Sequence, residues 1–135
     1  MCLFCSIVKK EIPAEIIYED EKSLAFLDIR PRAPGHTIVI PKSHAQNLLE
    51  LGEQDVGPLF EAARTVQKRI LEVLHPEGFT VGVNQGRAAG QEVDHLHVHI
   101  LPRFFRDGGR AVQGLVNNPP RESLKEMAEK LSIKK

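Results

Sequence analysis

The chain has 135 residues, 41% of them hydrophobic and 27% charged, with 18 basic residues balancing 18 acidic ones. That length suits one domain with a sizeable core, and the composition is ordinary for a soluble globular protein. Zero net charge argues against a duplex nucleic-acid or anionic-membrane binder, and no apolar run approaches the roughly 20 residues of a membrane span. The first residues lack the basic-then-apolar pattern of a secretory signal. Both cysteines, Cys2 and Cys5, fall in one Cys-x-x-Cys, so a reducing, cytoplasmic location is expected rather than a disulfide framework.

Residues 1–14 read as a short helix or an irregular arm. The run Glu15–Glu19, with two isoleucines and Tyr18, predicts a strand. A polar turn over Asp20–Lys22 leads to a second strand over Ser23–Asp28, so the pair forms a hairpin. Pro31, Pro34 and Gly35 mark a loop. The strand His36–Ile40, stopped by Pro41, is almost continuously apolar and is expected at the centre of a sheet. From Glu53 to His75 apolar residues recur every three or four positions, through Val56, Leu59, Phe60, Ala63, Val66, Ile70, Leu71 and Leu74. That spacing predicts one long amphipathic helix, with Pro58 in its first turn and Pro76 and Gly78 ending it. His75 is placed to meet the last helical carbonyls. Gly78–Asn84 is a fourth strand, and the glycine-rich segment from Gln85 to Gln91 suits a backbone-rich ligand loop. A fifth strand over Asp94–Pro102 precedes a Gly- and Asn-rich loop. A short amphipathic helix through Leu124, Met127 and Leu131 then follows.

That fifth strand holds the densest chemistry. Strand side chains alternate faces, so His95, His97 and His99 share one face while Leu96, Val98 and Ile100 point into a core. Three readings compete: polar residues on a sheet face, a single metal site, and imidazole catalysis. A strand rises about 3.3 Å per residue, which puts His95 and His99 about 13 Å apart, too far for one ion with zinc–nitrogen bonds of about 2 Å. Successive histidines about 6.6 Å apart can instead contact one shared ligand. A neutral imidazole can attack phosphorus while its neighbours set the tautomer and supply protons.

His95-Leu96-His97-Val98-His99-Ile100 resembles the His-x-His-x-His-hydrophobic motif of the histidine-triad (HIT) family of nucleotide hydrolases and transferases. The resemblance extends, in family order, to Ile17–Asp20, Ala25–Ile29, Ala33–Lys42 and Val83–Gly86, and covers roughly residues 2–103. It implies an α+β fold, with an antiparallel sheet of about five strands and one long helix, and pairing as a homodimer. The expected organisation is a single domain over 1–135, with the core in 2–103 and a C-terminal loop and helix in 104–135. By position, His97 would be the nucleophile on a purine nucleotide, His99 would sit beside the phosphate oxygens, and His36 would complete the histidine network. Asp28 would hold ribose hydroxyls, and Asn84 and Gln91 would lie near the phosphate. Leu3, Phe4, Ile7, Phe26 and Ile29 would surround the base; the competing reading is core packing, which explains Ile7 and Ile29 individually at least as well. Glu92 stands where the phosphoramidase branch often has a hydroxyl residue, and that branch's C-terminal tail is missing. Leu101-Pro102-Arg103 looks more like the dinucleoside-polyphosphate branch. The substrate is thus expected to be a dinucleoside polyphosphate or a nucleoside phosphoramidate. The rival expectation is a nucleotide-binding scaffold with negligible turnover.

The Cys-x-x-Cys is ambiguous alone. A redox pair would follow a strand and open a helix in a βαβ unit, and none precedes it, while a structural zinc site needs two further ligands. Pro41-Lys42-Ser43-His44 resembles a stretch of zinc-containing family members, whose site implies His44 and His95 as the partners of Cys2 and Cys5. His95 would then leave the catalytic group. A hydrolase whose zinc activates water is the competing expectation.

Overall fold

A computed structural model describes residues 2–134. Met1 and Lys135, the outer limits of the expected domain, lie outside the described residues. Five strands form one antiparallel sheet: β1 (Ile16–Glu19), β2 (Ser23–Leu27), β3 (Thr37–Pro41), β4 (Gly78–Gly82) and β5 (Val98–Arg103), in the order β1-β2-β3-β5-β4. Three α-helices accompany them among the described residues: α1 (Leu3–Val8), α2 (Glu53–Leu74) and α3 (Leu124–Leu131). The almost wholly apolar β3 is the central strand, as its composition predicts, and every residue in it is buried.

Register fixes what each face of the sheet does. Ala25 lies opposite Val39, and Val39 opposite Val98, so these residues line one face. There they pack against Leu59, Ala62, Ala63, Val66 and Ile70 of α2. Phe26 lies opposite Ile38, Ile38 opposite His99, and His99 opposite Gly82. This second face is covered by Phe4 and Ile7 of α1 over Leu24, Phe26, Ile38 and Ile40. The β2–β3 half of the histidine face is thus roofed, while on β5 His99, Leu101 and Arg103 remain partly open.

The helix α2 departs from its expected pattern in two ways. It starts at Glu53, so Pro58 falls in the second turn rather than the first. Proline has no N–H for the carbonyl four residues back. That carbonyl, on Gln54, instead receives a hydrogen bond from Lys22 Nζ at 3.4 Å, and the same ammonium pairs with Asp55 at 2.8 Å. The predicted stripe also divides. Leu59, Ala63, Val66 and Ile70 are buried, whereas Val56, Phe60, Leu71 and Leu74 remain exposed. At the other end His75 adopts φ +51° and its backbone N–H bonds Leu71 O at 3.2 Å, closing the helix with a left-handed residue.

The histidine strand is shorter than predicted. Pairing with β3 runs from Ile100 to Val98 and stops, so His95 and His97 precede the ladder. Pro41 is the last residue of β3 and has no N–H to continue the pairing. Leu96 N–H turns instead to Ala45 O at 2.7 Å. Alternation survives this change, because Leu96, Val98 and Ile100 all enter the core beneath α2. A glycine sets up the opposite strand: Gly35 takes φ +82°, and a Cβ there would come within 2.8 Å of Leu74 Cδ1. Only glycine adopts this conformation at such close approach without strain, and the next residue is His36. In the C-terminal helix, Ser123 and Glu126 form a reciprocal capping box, while Leu124 and Leu131 stay exposed.

Candidate active site

Backbone groups fix the tautomers of His36, His95 and His97, and His36 in turn fixes that of His99. His97 Nδ1 lies 2.7 Å from His95 O, which can only accept, so neutral His97 carries its proton on Nδ1 and a lone pair on Nε2. His95 Nε2 donates to Pro41 O at 2.8 Å, leaving a lone pair on Nδ1. His36 Nδ1 accepts the backbone N–H of Arg32 at 3.1 Å, so its proton sits on Nε2. That Nε2–H points at His99 Nδ1, 3.0 Å away, with an Asp28 carboxylate oxygen at 3.5 Å. Neutral His99 consequently carries its own proton on Nε2, ready to donate. The rings of His97 and His99 lie 5.1 Å apart, and those of His36 and His99 5.2 Å.

Burial favours the neutral form of His36 and His99. Desolvation pulls the His99 pKa down to about 4, helped by His97 and His36 and opposed by Asp28. Burial likewise lowers His36, against the attraction of Asp28. The same chemistry argues against a metal at Asp28, His36 and His99, although their ligand atoms cluster. A cation on His36 Nε2 would have to displace the proton that the Arg32 N–H holds there.

A second cluster lies on the other side of His95. Its Nδ1 lone pair is 3.4 Å from Cys2 Sγ, 3.5 Å from Cys5 Sγ and 3.2 Å from His44 Nδ1, and Cys5 Sγ is 3.3 Å from His44 Nδ1. A zinc tetrahedron with bonds of about 2.0–2.3 Å has edges of about 3.3–3.8 Å, so these four edges suit one ion. Burial and neighbouring Cys2 push the Cys5 thiol up, so a paired-thiolate state calls for a cation beside it. Four protein ligands would complete a tetrahedron and leave no position for water.

The remaining expected residues are placed unevenly. Asp28 meets His36, and Asn84 lines a cleft with His36 and His99. Gln91 is buried, its amide bonded to Gly86 N, Gln46 O and Val93 O, so it braces the glycine-rich loop. Phe4, Phe26 and Ile7 are buried in the α1-side core, whereas Leu3 is half exposed and Ile29 is 88% exposed. Phe4 also stands edge-on to His97, ring centres 5.2 Å apart, so α1 and its N-cap Cys2 bring both thiols and a wall beside His97. Sequence reasoning missed Arg32, which acts through its backbone and so leaves no side-chain signal. It also missed that Asp107 folds back to accept from Arg103 Nε and Nη2 at 2.7 and 3.1 Å, whose only signal is the turn-forming Asp107-Gly108-Gly109.

A histidine with a depressed pKa binds fewer protons folded than unfolded, so its contribution to stability is lost as pH falls from the ordinary 6.5 towards about 4. The urea midpoint of the protein should therefore fall through that window more steeply than that of His99→Gln. Equal slopes would mean that His99 is not held neutral.

The HIT domain family model matches residues 9–106. The adenosine 5'-monophosphoramidase of Schizosaccharomyces pombe is 40% identical over 134 residues, covering 98% of this chain and 97% of that protein. A HIT family protein from Bacillus subtilis superposes with a TM-score of 0.85 at 36% identity, over 96% of this chain and 94% of that one. A zinc-bound histidine triad family protein from Mycobacterium smegmatis superposes at 0.72 and 36% identity, over 96% of this chain and 88% of that one. With the five-stranded sheet and the histidine network in place, the match across 9–106 settles the relationship: this chain belongs to the HIT domain family.

Proposed function

We propose that the protein hydrolyses a purine nucleotide conjugate at its α-phosphate through a nucleotidyl intermediate on His97. The observation that carries this reading is the His97 Nδ1–H bond to His95 O, which leaves Nε2 as a lone pair. The phosphoramidase relative supports the same reaction class. In the first step Nε2 forms a bond to phosphorus while the bond to the leaving group breaks, and the electron pair departs with that group. An amine leaving group takes a proton from solvent, and a phosphate leaves as an anion. Neutral His99 donates Nε2–H to a phosphoryl oxygen, and His36 holds it in that tautomer. Water then attacks phosphorus, the P–N pair returns to His97, and the water's proton passes to bulk. Asp28 and Asn84 orient ribose and phosphate, and Leu3, Phe4, Ile7, Phe26 and Ile29 border the base. Gln91 shapes the loop beside the phosphate.

Cys2, Cys5, His44 and His95 hold a structural zinc ion, which supplies a cross-link from α1 to the histidine segment. The Mycobacterium smegmatis protein supports this assignment, and the two thiols suit a reducing cytoplasm. Two copies of the chain pair as a homodimer. The edge strand β4 and the exposed Val56, Phe60 and Leu71 on α2 support that assembly.

Rapid quench with an adenylyl-labelled substrate should trap an acid-labile adduct on the protein. His97→Ala should lose the adduct and at least roughly 10³-fold in kcat. Equally slow product release by both proteins would instead favour a binding module. Purified protein should carry stoichiometric zinc. Cys5→Ser should lose metal and melt at lower temperature, with turnover per folded molecule retained; absence of zinc from fresh protein would refute the site. Sedimentation at micromolar concentration should give twice the chain mass, and a monomer would remove the dimer.

A further inference from the structure

Cys2 and Cys5 are the only cysteines of the chain, and the hydrolytic steps use neither. They sit at the two ends of the first turn of α1. Ser6 N–H bonds Cys2 O and Lys9 N–H bonds Cys5 O, both at 3.1 Å, so the path between the cysteines is helical. Residues three apart in a helix have Cα atoms about 5 Å apart, within the roughly 4.4–6.8 Å that a disulfide spans. Cys2 Sγ leans over that turn, 3.4 Å from Cys5 N, and the two sulfurs lie within 4.8 Å of one another. Rotation of the two side chains closes the pair while the helix keeps its path.

The cluster is open on one side. His44 is exposed and both cysteines are partly exposed, whereas His95 is wholly buried. A small oxidant from solvent therefore meets the edge formed by Cys5 Sγ and His44 Nδ1.

Closing the pair changes what the cysteines hold together. An ion on all four groups ties Cys5 to His44 across 39 positions of chain and Cys2 to His95 across 93. A Cys2–Cys5 disulfide closes a single helical turn. A cross-link over a long loop constrains the unfolded chain more than one over a short loop, so the exchange removes stability. It also leaves His44 and His95 as the only donors, and two imidazoles do not complete a zinc tetrahedron.

We propose that Cys2 and Cys5 are an oxidation site, at which a peroxide converts two zinc-binding thiolates to a disulfide, releases the ion and unties α1 from the histidine segment. The inference rests on the zinc reading above and deepens it, by naming the chemistry that empties the site. In the first step the Cys5 thiolate attacks one peroxide oxygen and the O–O bond breaks. The departing hydroxide or alkoxide takes a proton from solvent, and Cys5 is left as a sulfenic acid. The Cys2 thiolate then attacks the Cys5 sulfur, the S–O bond breaks, and the hydroxide that leaves is protonated to water. The two sulfurs lose two electrons, the peroxide gains them, and zinc departs as the hydrated ion. Small thiols of a reducing compartment reverse the disulfide by exchange, and the site can then refill.

Hydrogen peroxide added in modest excess to the zinc-loaded full chain tests it. A chromogenic chelator should record one zinc released per chain, and the mass of the metal-free chain should fall by two hydrogen atoms. The melting temperature should drop by roughly 10 °C. Dithiothreitol with added zinc should restore mass, metal content and melting. Zinc that stays bound after peroxide treatment would overturn the oxidation site. So would zinc loss with oxygen atoms added to the sulfurs, or with a disulfide between two chains, in place of the Cys2–Cys5 bond. These readouts use the unaltered protein, so none depends on a variant that folds. Fresh protein without zinc would overturn the metal reading and this inference with it, whereas bound zinc that ignores peroxide would overturn the inference alone.

Discussion

The carbonyl of His95 accepts the Nδ1–H of His97 across 2.7 Å, while the ring of the same residue donates to Pro41 O and turns its remaining nitrogen towards two thiols and His44. One residue therefore sets the tautomer of its neighbour with its main chain and anchors the N-terminal helix with its side chain. Both roles require His95 to sit just outside the sheet ladder. In a paired position its carbonyl would face a strand N–H. The absence of an N–H on Pro41 ends that pairing and releases the segment.

Around this hub the fold separates two environments that a single strand of histidines would otherwise mix. The α2 side of the sheet is an apolar core, and it fixes the backbone from which His97 and His99 project. On the other side α1 roofs the sheet only as far as β3, so His36 and His99 are buried enough to stay neutral but still reach the cleft. A neutral imidazole offers one defined donor and one defined acceptor, so the proton pattern of the network is fixed. Among the described residues every buried side-chain nitrogen or oxygen has a partner, so the polar cluster carries no unmet hydrogen-bonding cost.

Much of this was legible from residue types and spacing. Continuous apolar character marked β3 as central, three-and-four spacing marked α2, and alternation around His95–Ile100 separated the core residues from the histidines. Boundaries were less legible, because the ladder ends where a partner strand runs out of N–H groups, and that is a property of Pro41 rather than of the histidine segment. The apolar stripe of α2 did not tell which of its residues face the sheet. Gln91 carries an amide that suits either a phosphate contact or a loop brace, and only three-dimensional partners distinguish them. Arg103 and Asp107 were hidden for a similar reason: an arginine after a strand and an acid before two glycines are ordinary until the loop folds back.

The partners that orient these rings have a bearing on how the site tolerates change. His36 is held by the N–H of Arg32, His95 by the carbonyl of Pro41, and His97 by the carbonyl of His95. None of these bonds involves the side chain of the residue that supplies the partner. At Arg32, replacement by any residue except proline keeps this donor in place, so the proton pattern at His36 does not depend on the Arg32 side chain. The orientation of the histidines is written in the path of the chain, and it lasts as long as that path does.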